Sequence, residues 1–176
     1  MTDDDEIKEE ILRVLIETFL EENGKVVLPS QDVVDGVTES LDVSEKDIYY
    51  NIHRLNNSNF IDFKPGKGDG SLELKVLGID KYGDMSGDVV IPDDHIEKIL
   101  GLLYDEAREN PQDPSVTRDD LLQGTGLSEG ELDRTVWYLK EKGQVKMTDV
   151  DKPEWRTVEI DRAGRQLYEG RYVTDG

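Results

Sequence analysis

The segments Ser44–Ile61 and Ser128–Val145 repeat one another in register. Apolar side chains coincide at Ile48/Leu132, Ile52/Val136, Leu55/Leu139 and Ile61/Val145. Within each segment the first three fall at spacings of four and three, which places them on one stripe of a helix. Ser44 with Asp47, and Ser128 with Glu131, form the capping box that starts such a helix, in which the serine oxygen accepts an early backbone N–H and the acid reaches back. Upstream, Ile11, Val14, Leu15 and Phe19 align with Ile96, Ile99, Leu100 and Tyr104 at helical spacing. Downstream, Ile79-Asp80-x-x-Gly83 aligns with Ile160-Asp161-x-x-Gly164. A chain of 176 residues built on such a duplication divides into two small domains.

Each half is predicted to run in the same order. A long amphipathic helix (7–23, 93–109) precedes a short one (30–40, 117–124), a turn, and a third helix (44–58, 128–142). A two-strand ribbon follows, pairing 60–64 with 72–79 and 144–149 with 156–160 through the loops 65–70 and 150–155. Asp84-Met85-Ser86-Gly87-Asp88 reads as a linker, and Val89-Val90-Ile91-Pro92 as an extended stretch that docks on one domain. The expected fold class is α+β, mostly α, with a first domain at 1–83, a linker at 84–92 and a second domain at 93–176.

With these residues the chain resembles the winged-helix family of helix-turn-helix domains, present twice. The phrase Gly126-Leu127-Ser128-x-x-x-Leu132-x-x-x-Val136-x-x-Leu139-x-x-x-Gly143-x-Val145 carries the resemblance, which covers about residues 7–83 and 93–171. The first half has Asp42-Val43 before the cap and Asn59 where Gly ends the helix. Asn tolerates the left-handed conformation that Gly supplies, so the chain can still turn there. The resemblance implies two three-helix domains, each with a two-stranded ribbon. It also implies either DNA binding through the third helix and ribbon or contact with another protein, since the family serves both.

A helix advances about 100° per residue, so burying Ile48, Ile52 and Leu55 turns Lys46, Tyr50, His53, Arg54 and Asn57 outward. These donors, cations and one aromatic suit base edges and phosphates in a major groove, although any charged helix also has a solvated face. Lys64 and Lys67, on the loop Lys64-Pro65-Gly66-Lys67-Gly68, could lie along a nucleic-acid backbone or minor groove, or belong to a plain turn. In the second half the same construction exposes Gly130, Arg134, Trp137, Tyr138 and Glu141. Arg134, Trp137 and Tyr138, with Trp155 of the neighbouring ribbon, are residue types enriched in protein interfaces. Equally, Trp137 can lean on Trp155 as local core.

The charge distribution separates two kinds of surface. Residues 1–43 carry three basic and 13 acidic side chains, and 82–127 carry three and 11, whereas 44–81 carry six and six, and 128–171 nine and ten. The acid excess behind the net charge of −20 therefore avoids each third helix and ribbon. An acid beside a phosphate costs Coulomb energy, so a nucleic-acid-facing surface must be spared. Neutral faces are equally what an interface between halves, subunits or proteins requires. The overall excess has its own explanation, because Asp-rich, Cys-free chains of this kind resemble haloarchaeal proteins, which stay hydrated in salt through surface acids.

Zero cysteines exclude disulfides, thiolate zinc sites and cysteine nucleophiles, and His53 and His95 alone do not build a metal site. Asp3-Asp4-Asp5-Glu6 reads as a solvated tail, Asp93-Asp94-His95 as a helix start, and Asp119-Asp120 as the first turn of a short helix. No Ser-His-Asp order, glycine fingerprint or metal spacing appears, so neither enzyme activity, metal nor cofactor is expected. No apolar run reaches the roughly 18 residues of a membrane helix, and the acidic start is unlike a signal peptide. The expectation is a cytoplasmic, sequence-specific regulator binding double-stranded DNA through the first repeat. The alternative is a protein–protein adaptor or scaffold of chromosome-organising or transcription-complex type, with a protein partner or a homodimer joined through the second repeat.

Overall fold

A computed structural model describes residues 2–66, 70–148 and 155–173. The chain is α+β and mostly helical, and divides after Val90 into two units. The first holds α1 (Asp4–Glu21), β1 (Val27–Pro29), α2 (Ser30–Ser40), α3 (Glu45–Asn57), β2 (Ile61–Lys64), β3 (Ser71–Leu74) and α4 (Val76–Ser86). The second repeats this order with α5 (Asp93–Glu109), β4 (Val116–Thr117), α6 (Arg118–Thr125), α7 (Glu129–Glu141), β5 (Val145–Thr148), β6 (Thr157–Ile160) and α8 (Arg162–Arg171). Both sheets are antiparallel with corresponding orders, β1-β3-β2 and β4-β6-β5.

The third helices form as the sequence predicts. Ser44 and Ser128 each accept the backbone N–H three residues on. Glu131 reaches back to the Ser128 N–H and closes the box, while the shorter Asp47 instead accepts from the Ser44 hydroxyl at 2.6 Å. Asn59 and Gly143 end the two helices with φ of 61° and 72°, so Asn takes up the left-handed turn expected of it. The next N–H groups, of Phe60 and Gln144, return to the Leu55 and Leu139 carbonyls at 3.0 and 2.9 Å.

Each core lies between the first three helices and the sheet. In the first unit, Phe19, Leu15, Val33, Ile48, Ile52, Leu55 and Leu72 are buried; in the second, Ile99, Leu103, Leu121, Leu132, Leu139 and Val158. Burying each such side chain contributes about 1.5–3 kcal/mol.

Four expectations are corrected. The ribbon is not two-stranded, because β1 and β4 add a third strand to each sheet. At three and two residues these strands are too short to show alternation. The strand expected at 72–79 stops at Leu74, and Val76–Ser86 is helical, with Gly87 closing it at φ 79°. The linker expected at 84–88 therefore begins as the last turn of a helix. Val76, Leu77 and Ile79 read as strand because an apolar run this short has no distinguishing period. A matching α8 was likewise missed.

Two alignments also shift. Gly164 corresponds to Gly78, not Gly83: a Cβ would stand 2.2 Å from the Phe60 carbonyl oxygen at Gly78 and 2.1 Å from the Gln144 carbonyl oxygen at Gly164. Those carbonyls accept from the Lys75 and Asp161 N–H groups, so each fourth helix starts against the end of the third. In the first helices, Val14 corresponds to Leu102, since these face Gly36 and Gly124 at the same place in α2 and α6. Slipping an amphipathic helix by one turn preserves much of its apolar pattern, which is why the sequence alignment settled three residues away.

Candidate nucleic-acid interface

The α3 stripe Ile48, Ile52 and Leu55 is at most 1% exposed. Lys46, Tyr50, His53, Arg54 and Asn57 are all exposed, with Tyr50 at 56%. The five expected side chains thus share the outer part of one helix.

Contacts fix the arrangement further. The Arg54 guanidinium lies over the Tyr50 ring, 5.6 Å from its centroid, and donates to Asp4 Oδ2 at 3.0 Å. Asp4 Oδ1 accepts from the Asn51 amide at 3.2 Å, and that amide also donates to the Asp47 carbonyl at 3.0 Å. Asn51 is fully buried. His53 meets the Phe63 ring edge-on at 5.4 Å, and the Phe63 N–H donates to Asn56 Oδ1 at 2.9 Å. These bonds seat β2 beside α3 and carry the start of the β2–β3 hairpin to the same face. Lys64 Nζ stands 3.5 Å from Asp62 and 3.7 Å from Glu73, weak exposed pairs that leave its ammonium hydrated. Lys67 lies outside the described residues.

Asp4 is the residue that sequence reading missed. By sequence it belongs to a solvated acidic tail, yet it lies in the first turn of α1 and bonds two residues of α3. Asn51, a lone polar residue beside the apolar stripe, was the available signal.

The second unit differs at the equivalent face. Arg134, Trp137 and Tyr138 are half-buried, and Tyr138 packs on the core with Lys142 Nζ 5.4 Å from its ring centroid. Trp155 does not belong to an exposed interface: it is 8% exposed and part of the core. Its indole N–H donates to Asp133 Oδ1 at 3.1 Å, so both the ring and the polar edge are satisfied internally. Asp133 also receives Arg118 in bidentate fashion, at 3.1 and 2.9 Å. This carboxylate holds the Arg118 guanidinium more firmly protonated than usual. His95, in the first turn of α5, is half-buried with Nε2 3.1 Å from Glu131 Oε2. The Ser128 hydroxyl and backbone N–H hold the Glu131 carboxyl below its ordinary range. Among the described residues no group of three or more potential ligands could hold a metal ion, and no helix is long and apolar enough to cross a membrane.

Comparison of the chain with protein-family models, curated proteins and solved structures finds no match.

Proposed function

We propose that each unit is a winged helix and that the chain is a sequence-specific transcriptional regulator binding double-stranded DNA in the cytoplasm of a salt-adapted cell. The order of three helices followed by a hairpin, present twice, supports the fold reading. The functional reading rests chiefly on α3, where Lys46, Tyr50, His53, Arg54 and Asn57 are exposed together beside the β2–β3 hairpin. Arg54 and Asn57 have the donors that read guanine and adenine edges. Lys46, Lys64 and Lys67 supply phosphate contacts, Tyr50 stiffens Arg54 by stacking, and His53 keeps the hairpin in register with the helix. No catalytic step, metal or cofactor is part of this role.

Selecting bound fragments from a random DNA pool, in molar potassium chloride and at lower salt where the fold persists, tests the reading. Enrichment of a motif supports it. Absence of enrichment at every salt that preserves the fold overturns it.

One observation favours a second role for the other unit. Where α3 carries His53, Arg54 and Asn57, α7 carries Trp137, Tyr138 and Glu141, a set better suited to a protein surface than to phosphates. On this adaptor reading Arg134, Trp137 and Tyr138 form the contact with a partner or a second copy. Trp137→Ala should then abolish association while leaving the fold and DNA binding intact.

A further inference from the structure

The chain has about two acids for every base, 41 against 21, yet three cations from three helices converge beside α3. Lys8 of α1, Arg54 of α3 and Lys81 of α4 line an open cleft of about 420 Å³ whose neutral walls include Asn57, Ser58 and Phe60. Lys81 Nζ stands 5.8 Å from the centroid of the Phe60 ring, and the Lys8 side chain is only 15% exposed, so packing positions both ammonium groups. One acid lines the cleft, Asp5, and its Oδ1 takes the Lys8 ammonium at 2.9 Å, while Asp4, outside the lining, takes one N–H of Arg54 at 3.0 Å and leaves the rest of that guanidinium to the cleft. That hydrogen bond, aided by the charges of Lys8, Lys81 and Arg54, holds the Asp5 carboxyl below the ordinary carboxylate range. The cleft already accommodates an anionic oxygen group, and the one it holds is 74% exposed and free to rotate into water.

We propose that this cleft is a phosphate-group site, bound by Lys8, Arg54 and Lys81, in which Asp5 is an internal occupant that an incoming phosphate displaces. A free phosphate carries nearly twice the charge of a carboxylate and at least three acceptor oxygens, matching the Lys8 and Lys81 ammonium groups and the N–H groups of Arg54 that Asp4 does not take; a backbone phosphodiester offers one charge on two non-bridging oxygens and would engage the same cations more weakly. The group can come from a nucleic-acid backbone or from a free phosphate. The first source extends the DNA reading above, because Arg54 belongs to both sites; the second does not depend on it.

The test uses the full chain at the lowest salt that keeps it folded, titrated with inorganic phosphate and, separately, with random-sequence duplex DNA, while backbone amide shifts are followed by NMR. Saturable phosphate shifts should be centred on Arg54, Asn57 and Ser58 and lost in Lys8→Gln/Lys81→Gln. Asp5→Asn, which removes the exposed competitor, should tighten phosphate about two- to fivefold. Absence of saturable shifts there, or equal shifts in the double glutamine variant and in Asp5→Asn, overturns the site even if DNA binds. Phosphate binding without any DNA binding upholds the site, assigns it to a free phosphate and counts against the DNA reading. If DNA is the source, the double variant should lower the slope of log affinity against log salt by roughly two.

Discussion

Asp4 Oδ2 lies 3.0 Å from the Arg54 guanidinium across 50 residues of sequence, while Oδ1 of the same carboxylate accepts from the Asn51 amide at 3.2 Å. One acid in the first turn of α1 thereby holds two successive turns of α3. The Tyr50 ring backs the guanidinium, so Arg54 is presented in a defined direction with a carboxylate standing where an external anion would go.

Asp4→Asn keeps an oxygen for Asn51 and removes the charge facing Arg54. Both members of the ion pair are 46% exposed, so stability should change by less than about 1 kcal/mol. DNA affinity should rise, as measured by fluorescence anisotropy alongside urea unfolding. Unchanged or weaker binding would show that Arg54 does not meet DNA.

Gly78→Ala and Gly164→Ala each drive a methyl into a backbone carbonyl at 2.2 and 2.1 Å. The start of a fourth helix must move, at a cost of roughly 1–3 kcal/mol. Gly170→Ala on α8 meets nothing within 4 Å and should be neutral or mildly stabilising. Thermal unfolding that ranks Gly78→Ala level with Gly170→Ala would contradict the close packing.

The two tryptophans should behave differently. Trp155→Ala removes a core ring and strips Asp133 of one donor, costing about 3–5 kcal/mol. In single-tryptophan variants made with Phe, acrylamide should quench Trp137 more than Trp155. Equal quenching would remove the distinction between anchor and core.

Acid should weaken the fold through identifiable carboxylates. A hydrogen bond from Arg13 holds Glu10 below its ordinary value of 4.5, and bonds to Ser128 do the same for Glu131. The unfolded chain then binds protons first, so this stability is complete above the ordinary pKa and is lost as pH falls through the depressed one. Glu10→Gln should be less stable at neutral pH and lose stability less steeply below about pH 4.5. An unchanged acid limb would show that the Arg13 contact contributes nothing in solution.

The third helices were readable because caps, apolar stripe and stop signal agree: Ser44, the stripe Ile48–Ile52–Leu55, and Asn59 at φ 61° all point to one element. The exposed set on α3 followed from that stripe by geometry alone. What escaped depends on long-range pairing. Leu28 pairs with Leu72 across the sheet, and the helix at Val76–Ser86 sets Gly78 against the Phe60 carbonyl, contacts that no local pattern announces. Asp4 looked like one acid among four, and its role exists only where α1 meets α3. Trp155, at the edge of a loop, reads equally as interface or as local core, because nothing local announces Asp133 as the partner of its indole.

The most direct test of the DNA-reading assignment compares wild type and Arg54→Ala on a selected duplex and on a scrambled duplex of equal length at one salt concentration. Arg54→Ala should weaken binding to the selected site by about 1–3 kcal/mol, and the penalty on the scrambled duplex should be smaller. Equal penalties on both sequences, or none on either, would contradict the assignment of α3 as the element that reads sequence.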